Sequence, residues 1–466
     1  MTLTLAIVEN TSLFAAVAAV LFAFTSSPLG DWSDLPIALV QALTIAACCA
    51  VSFYYNDLYD FRIVRSLGVF AARLLQSLGL AFILLAALYG LAPAINIAND
   101  AFALCLLVSV PLLLTLRGIS YGLMGRTPFV ERVLILGTSP LAHKIVREID
   151  NRPDLRHLIV GIAGDSIDGN VASLPYPLLG PLEHLDKIVR ELKPDRLIVA
   201  LAERRARLPV RQLLDARLNG TFVEEGVDAY ERFTGKLAIE SLTPSNLIFS
   251  GDFGKSRWKL AAGRLLNFGL AVTGVILAAP VMGVLAILIK LDSAGPVFFI
   301  QERMGMHGKR FRLIKFRTMR AADVHPSEWA CDNTARITRV GKWLRKFRLD
   351  ELPQLFNVIQ GDMNFVGPRP HPVSNFELFV ENIPFYSLRA VVRPGITGWA
   401  QVRYGYANNL DEEIEKMRYD LYYIKHLSAW FDLRILFDTV KTVMFGRGTP
   451  AVNGDGAGHR AAVNGR

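Results

Sequence analysis

Five long apolar stretches constrain this chain more tightly than any other feature of its sequence. Residues 3–24, 35–55, 67–91 and 101–116 each approach the ~20 residues that a helix needs to span a bilayer, and residues 265–291 form a longer stretch of the same kind. A chain of 466 residues that is 52% hydrophobic is long enough for two or three domains and too apolar for an ordinary soluble protein. Part of it belongs in a membrane. The first stretch lacks a basic start and runs into the polar turn Ser26-Ser27-Pro28, so it reads as a span and not as a cleaved leader.

Arginines set the orientation. The loop around Asp31 and Asp34 and the loop from Asn96 to Asp100 contain no Lys or Arg, whereas Arg62, Arg65, Arg117, Arg126 and Arg132 flank the opposite ends. Residues 1–120 therefore read as a four-helix transmembrane bundle with both ends on the cytoplasmic side. Cys48, Cys49 and Cys105 fall in apolar spans and Cys331 stands alone, which offers neither a disulfide framework nor a zinc spacing. The net charge of +9 crowds beside apolar segments, which points to an anionic membrane surface and anionic substrates and excludes nucleic acid as a partner, since no aromatic-basic or DNA-binding pattern accompanies it.

Residues 265–291 have the length of a fifth span, but charge argues against a crossing. Arg257, Lys259 and Arg264 precede the segment and Lys290, Arg303, Lys309 and Arg310 follow it. Pro280 sits near its middle, where it removes a backbone hydrogen bond and bends a helix. A re-entrant helix that enters the cytoplasmic leaflet, kinks at Pro280 and returns satisfies both facts.

Between the bundle and this segment, residues 131–250 alternate strand and helix signals: strands at 133–137, 157–161 and 195–200, and a helix at 141–149. That order predicts a Rossmann-like domain with a parallel sheet. Gly137-Thr-Ser-Pro-Leu-Ala142 occupies the place of a phosphate-binding turn but lacks the G-x-G arrangement that lets backbone approach a pyrophosphate.

The chemistry concentrates further on. Asp350 and Glu351 are adjacent carboxylates among Arg345, Lys346, Arg348 and Arg369, a composition suited to a phosphorylated anion. Leu352, Leu355, Phe356 and Ile359 recur at helical spacing up to Gly361, which places the two acids on the first turn of a short amphipathic helix. Lys315 and Arg317 alternate along a strand and can face a diphosphate from one side. Gly367-Pro-Arg-Pro370 is stiff, so Arg369 is held in one direction as a phosphate clamp. A divalent cation held by Asp350 and Glu351, with most of its shell left to water and phosphate, is the ordinary partner of such a pair.

These motifs carry a resemblance. LDELPQLFNVIQGDM at 349–363 and FVGPRP at 365–370, with Gln301-Glu-Arg-Met-Gly305 and KFRTM upstream and RPGITGWAQV at 393–402 downstream, resemble the catalytic domain of the bacterial monotopic phosphoglycosyl transferases, also called polyprenyl-phosphate hexose-1-phosphate transferases. The likeness runs from about residue 267 to 447 and places a mixed α/β monotopic catalytic domain with a re-entrant helix at 262–449. Large members of that family carry a similar helical bundle and Rossmann-like insert ahead of it. The resemblance implies transfer of a sugar phosphate from a UDP-sugar to undecaprenyl phosphate with release of UMP, the opening step of exopolysaccharide assembly at the cytoplasmic face of a bacterial inner membrane. It implies Asp350 as nucleophile, Glu351 as ligand or positioning group for Mg²⁺, and Arg303, Lys315, Arg317, Arg348, Arg369 and Gln401 as the phosphate- and substrate-binding set. Helices around 419–425 and 432–444 resemble the family's membrane-surface helices, with Asp420 as a scaffold acid. Ala279 departs from the family's usual Ser before the Pro of the helix break. Because every matched motif lies beyond 267, a chain beginning near 255 is expected to hold the chemistry.

Two other readings stay open at this stage. One is a membrane-anchored oxidoreductase that modifies a nucleotide sugar in the Rossmann-like domain, although that domain has no Tyr-x-x-x-Lys pair. The other is a non-catalytic scaffold. The sequence leaves the sugar and a homodimer undecided, and the glycine-rich end at 450–466 reads as a disordered tail.

Overall fold

The computed structural model describes residues 2–25, 35–59, 67–93, 96–124, 130–152, 156–164, 175–201, 208–239, 257–320, 336–405, 407 and 409–444. The expected tail, Cys331 and the arginines at 62, 65 and 126 lie outside the described residues. The chain divides into two compact units, Met1–Gly226 and Val227–Arg466.

The first unit opens with helices α1 (Thr2–Thr25), α2 (Leu35–Tyr55), α3 (Leu67–Leu91) and α4 (Asn99–Met124). Leu13, Val17 and Leu21 of α1 pack with Phe53 of α2, Phe70 and Leu74 of α3 and Leu113 of α4. Leu43, Leu75, Phe82 and Leu107 face outward from the same helices. Helices that are apolar on both their packed and their open sides match a lipid environment. A fully buried ion pair lies inside: Arg117 and Glu9 are both enclosed, with Arg117 Nη2 donating to Glu9 Oε2 at 3.0 Å and the guanidinium 4.3 Å above the Phe70 ring. It fastens α4 to α1 where either charge alone would be costly. Helix α4 extends beyond the expected 101–116 at both ends and carries Pro111 within it.

The same unit continues into a parallel sheet. Strands β1 (Glu131–Leu136), β2 (His157–Ala163), β3 (Arg196–Val199) and β4 (Phe222–Glu225) lie in the order β2-β1-β3-β4, connected by α5 (Pro140–Asn151), α6 (Leu185–Leu192) and α7 (Val210–Leu218). An order that starts in the middle and grows both ways puts a switch point between β1 and β3, where open α/β sheets take ligands. Here the turn after β1 is drawn shut against β3. Ser139 Oγ donates to Ala200 O at 2.6 Å, and Gly137, at φ +103°, sits so near that a Cβ would lie 2.6 Å from the same oxygen.

The second unit begins one helix earlier than the sequence suggests. Helix α8 (Gly226–Thr234) and the residues after it belong with the transferase motifs and not with the sheet, which moves the expected domain edge at 250 back to 226. The reason is packing: Leu237 is buried in one cluster with Phe379, Tyr386, Trp399 and Tyr423. Then come α9 (Arg257–Asp292), the hairpin β5 (Phe298–Met304) and β6 (Arg310–Phe316), α10 (Arg339–Lys346), α11 (Gln354–Gln360), β7 (Asn364–Val366), α12 (Val373–Asn382), β8 (Gly395–Thr397), α13 (Trp399–Arg403), α14 (Leu410–Lys425) and α15 (Ala429–Met444). Helix α9 is 36 residues long and runs unbroken across Pro280, so the expected kink does not interrupt it.

The earlier boundary changes which truncation works. A chain beginning at Gly226 is expected to keep the thermal unfolding midpoint of the transferase unit in detergent. One beginning at 255 discards Leu237 and the Gly235 carbonyl that accepts from Trp399 Nε1, a loss of roughly 3 kcal/mol, and its midpoint should fall by at least about 5 °C. Equal midpoints would return the boundary to 250.

Candidate active site

In the β5–β6 hairpin Phe299 pairs with Lys315, Gln301 with Leu313 and Arg303 with Phe311, so these side chains share one face. Phe311 and Leu313 are buried there against Ala271 of α9, Val358 of α11 and Met363. Lys315 follows them inward by the same alternation. Asn357 of α11, fully buried, meets the backbone of β6: its Nδ2 donates to Arg312 O at 2.7 Å and its Oδ1 accepts from Ile314 N at 3.1 Å. Spacing alone gave no sign of that role.

Arg317 parts company with Lys315. The strand ends at Phe316, and the Arg317 guanidinium turns to the C-terminal end of α9, donating to Ala294 O at 2.7 Å and Ser293 O at 2.6 Å. Carbonyls left open at a helix end attract a cation. The expectation that Arg317 joins the phosphate-binding set is corrected accordingly.

The two acids also lie differently than expected. They occupy a separate 3₁₀ turn, Leu349–Glu351, ahead of α11 and not its first turn. Arg348 at φ +53° bends the chain into that turn, and Pro353 has no amide hydrogen with which to continue it as an α-helix. Gly361, at φ +97°, closes α11 as predicted. Its last carbonyls are capped from the membrane helix, with Arg264 donating to Val358 O at 2.6 Å and Ile359 O at 2.9 Å, while Arg393 donates to Gly361 O at 2.9 Å. Leu355 and Val358 are buried, whereas Phe356 is exposed.

Within the turn the carboxylates have different partners. Glu351 Oε1 accepts from Arg369 Nη2 at 2.9 Å and lies 3.6 Å from Arg348 Nη1. Gln401 Oε1 joins the same two arginines, at 3.0 Å from Arg369 Nη1 and 3.4 Å from Arg348 Nη1. Burial raises the Glu351 carboxyl, but Arg369, Arg348 and Lys315 outweigh it and hold it below its ordinary value. Asp350 is 9% exposed, and among the described residues no group donates a hydrogen bond to its carboxylate. Burial and then Glu351 push it upward, against the pull of Lys315, Arg369 and Arg345. Lys315 is itself pushed down to about 7, by burial first and then by Arg303 and Arg369. Arg303 donates to Pro370 O at 2.9 Å and Gln301 Oε1 at 2.7 Å, which steadies the loop bearing Arg369. Asp350, Glu351, Lys315, Arg303, Arg348, Arg369 and Gln401 thus converge, and Arg317 does not.

Comparison with known proteins decides what this assembly belongs to. Residues 258–446 match the family model described as bacterial sugar transferase. Over 338 residues the chain is 34% identical to a UDP-glucose:undecaprenyl-phosphate glucose-1-phosphate transferase of Xanthomonas campestris pv. campestris, covering 71% of this chain and 70% of that one. The chain belongs to the bacterial sugar transferase family. It is also 43% identical over 219 residues to a UDP-N-acetylgalactosamine-undecaprenyl-phosphate N-acetylgalactosaminephosphotransferase of Aeromonas hydrophila, covering 47% of this chain and about half, 51%, of the relative. A third likeness, 40% over 189 residues, covers 39% of this chain and 94% of the exopolysaccharide production protein PSS of Rhizobium leguminosarum bv. phaseoli.

Beneath the arginine loop lies a buried ionic network that spacing did not reveal beyond Asp420. Arg389 Nε donates to Asp420 Oδ2 at 2.8 Å, its Nη1 to Tyr386 and Glu413, and its Nη2 to Arg369 O at 3.3 Å. His371 Nε2 is 3.1 Å from Glu413 Oε1 and Lys416 Nζ is 3.2 Å from Glu413 Oε2. Burial drives His371 down to about 3, against the pull of Glu413, so the ring is neutral and donates from Nε2. A histidine depressed in this way stabilises the fold fully above the unfolded value of ~6.5 and loses that contribution as pH falls toward 3. Thermal midpoints should therefore decline from pH 7 to pH 5, and His371→Gln should flatten that decline. An unchanged slope would assign the acid sensitivity to other groups.

Proposed function

We propose that this chain transfers a hexose 1-phosphate from a UDP-sugar to undecaprenyl phosphate, releasing UMP and forming undecaprenyl-diphosphate-sugar, as the first membrane step of exopolysaccharide repeat-unit assembly. The observation that carries this reading is the Asp350 carboxylate, buried beside Lys315, Arg345 and Arg369 yet without a hydrogen-bond donor among the described residues. The neighbouring lysine and arginine charges are arranged to receive an anion, and one oxygen pair is left for chemistry. Asp350 attacks the phosphorus that bears the sugar. An oxygen–phosphorus bond forms to the carboxylate as the bond to UMP breaks, leaving a sugar phosphate on the enzyme as an acyl phosphate. An oxygen of the lipid phosphate then attacks the same phosphorus and Asp350 departs.

Lys315, Arg348 and Arg369 neutralise the charge gathered when two anions meet, and Gln401 keeps both arginines directed at it. The donor set fits Mg²⁺: Asp350 is open, and Glu351 Oε2 has no protein donor among the described residues while Oε1 serves Arg369. When bound, Mg²⁺ supplies charge neutralisation on the diphosphate. The shut turn at Gly137 counts against the oxidoreductase reading, which needs backbone open to a pyrophosphate.

The site sits on the cytoplasmic face of the inner membrane in this reading, with α9 entering one leaflet without crossing it. Single cysteines placed before Arg264 and after Lys290 should both resist an impermeant outer-face reagent in intact cells; labelling of the second alone would make α9 a crossing helix. For the activity, the decisive measurement presents radiolabelled UDP-sugars, UDP-glucose and UDP-N-acetylgalactosamine among them, to the purified chain with undecaprenyl phosphate. Label should pass into organic-extractable lipid as UMP appears. UMP release with the label left in water would make the chain a hydrolase.

A further inference from the structure

We propose that residues 227–239, which precede every transferase motif, form a positioning element of the active site, acting through Trp399 on Gln401 and the arginines that grip Glu351; this rests on the transferase reading above. Trp399 is 4% exposed and its Nε1 donates to Gly235 O at 2.9 Å. Gly235 is fixed in kind as well as place: its φ is +69°, and a Cβ there would lie 3.2 Å from the indole ring. Around the same indole, the Phe431 ring stands 5.1 Å away edge-on, and the Arg403 and Arg434 guanidiniums lie 5.1 and 5.6 Å from its centre. The element itself is pinned to α14 on both sides of Gly235. Glu231, 3% exposed, accepts from Lys425 Nζ at 2.9 Å, and Leu237 N donates to Arg418 O at 3.0 Å.

Helix α13 depends on this support. With five residues it forms too few internal hydrogen bonds to hold its own orientation, so its first residue, Trp399, sets it. Gln401 lies two residues later and accepts from Arg369 at 3.0 Å and from Arg348 at a marginal 3.4 Å. A small rotation of α13 breaks the second contact first. Trp399 and Gly235 are positioning residues: neither touches a reacting atom, and both determine where the Gln401 oxygen stands.

The test uses the full chain. Trp399→Phe keeps an aromatic ring but removes the N–H together with part of the indole, and it should raise KM for the UDP-sugar by about 5-fold, in keeping with the ~1 kcal/mol of a buried hydrogen bond, while the thermal midpoint moves by a few degrees. Gln401→Leu should raise KM as well, and the double variant should be no worse than the worse single one, because the two act on the same arginines. If Trp399→Phe does not fold, Glu231→Gln loosens the element without touching the indole and should raise KM in the same direction. An unchanged KM, or effects that multiply in the double variant, overturns the proposal and leaves the transferase reading standing. Absence of transfer by the wild-type chain with every UDP-sugar overturns both.

Discussion

Asp350→Asn is expected to abolish turnover, by at least about 10³-fold, together with the partial reaction in which UMP is released without lipid acceptor. The amide keeps the shape of the side chain and loses the attacking anion, so binding of the UDP-sugar should survive. Glu351→Gln is expected to differ: it removes the charge that Arg369 and Arg348 grip, and should weaken both rate and Mg²⁺ dependence without eliminating the partial reaction. With the wild type, a sugar phosphate should remain on the protein when lipid is withheld, and initial-rate lines for the two substrates should be parallel. Intersecting lines, no trapped adduct and full activity of Asp350→Asn would mean direct transfer between the substrates.

Arg389→Ala should be the most damaging change to stability. The guanidinium is almost wholly buried and serves Asp420, Glu413 and Tyr386 together, so its removal strands the buried Asp420 carboxylate, while Glu413 keeps Lys416 and His371. Breaking a buried ion pair from one side costs about 3–5 kcal/mol, which corresponds to a fall in thermal midpoint on the order of 10 °C for a unit of this size. Arg310→Met is the matched control, since Arg310 and Glu377 are both exposed and 3.3 Å apart, the kind of pair that contributes almost nothing. Similar midpoints for the two variants would show that the network relaxes or admits water, and would remove the basis for treating it as the foundation of the Arg369 loop.

What the sequence made legible was local. Apolar runs announce their helices without reference to any partner, and Gly361 ends α11 because a left-handed residue is needed at that point. The parallel sheet followed from strand and helix signals in alternation. Legibility failed wherever the outcome depended on what comes near in space. Arg317 shares the alternation of Lys315, and only the proximity of the Ser293 and Ala294 carbonyls diverts it. The partnership of Arg389 with Asp420 joins residues 31 positions apart on different elements. Likewise nothing in the pattern of residues 226–239 tells that Leu237, just after α8, enters the core around Trp399.

Arg264 gives the arrangement a further meaning. Its two hydrogen bonds to Val358 and Ile359 join the start of the long apolar helix α9 to the end of the helix that follows the carboxylate turn, and Ala271 packs on Val358 about two turns further along. Under the proposed placement of α9 in one leaflet, the elevation of Asp350 over the bilayer is built in as a fixed offset, since the linkage is one arginine side chain bonded to backbone carbonyls. An acceptor phosphate is then selected by the depth at which its headgroup floats, before any contact with its isoprenoid units. Tail length enters chiefly through anchoring, so a chain just long enough to hold its phosphate at that level should serve almost as well as a full-length one, and a water-soluble phosphate of identical chemistry should be a poor acceptor.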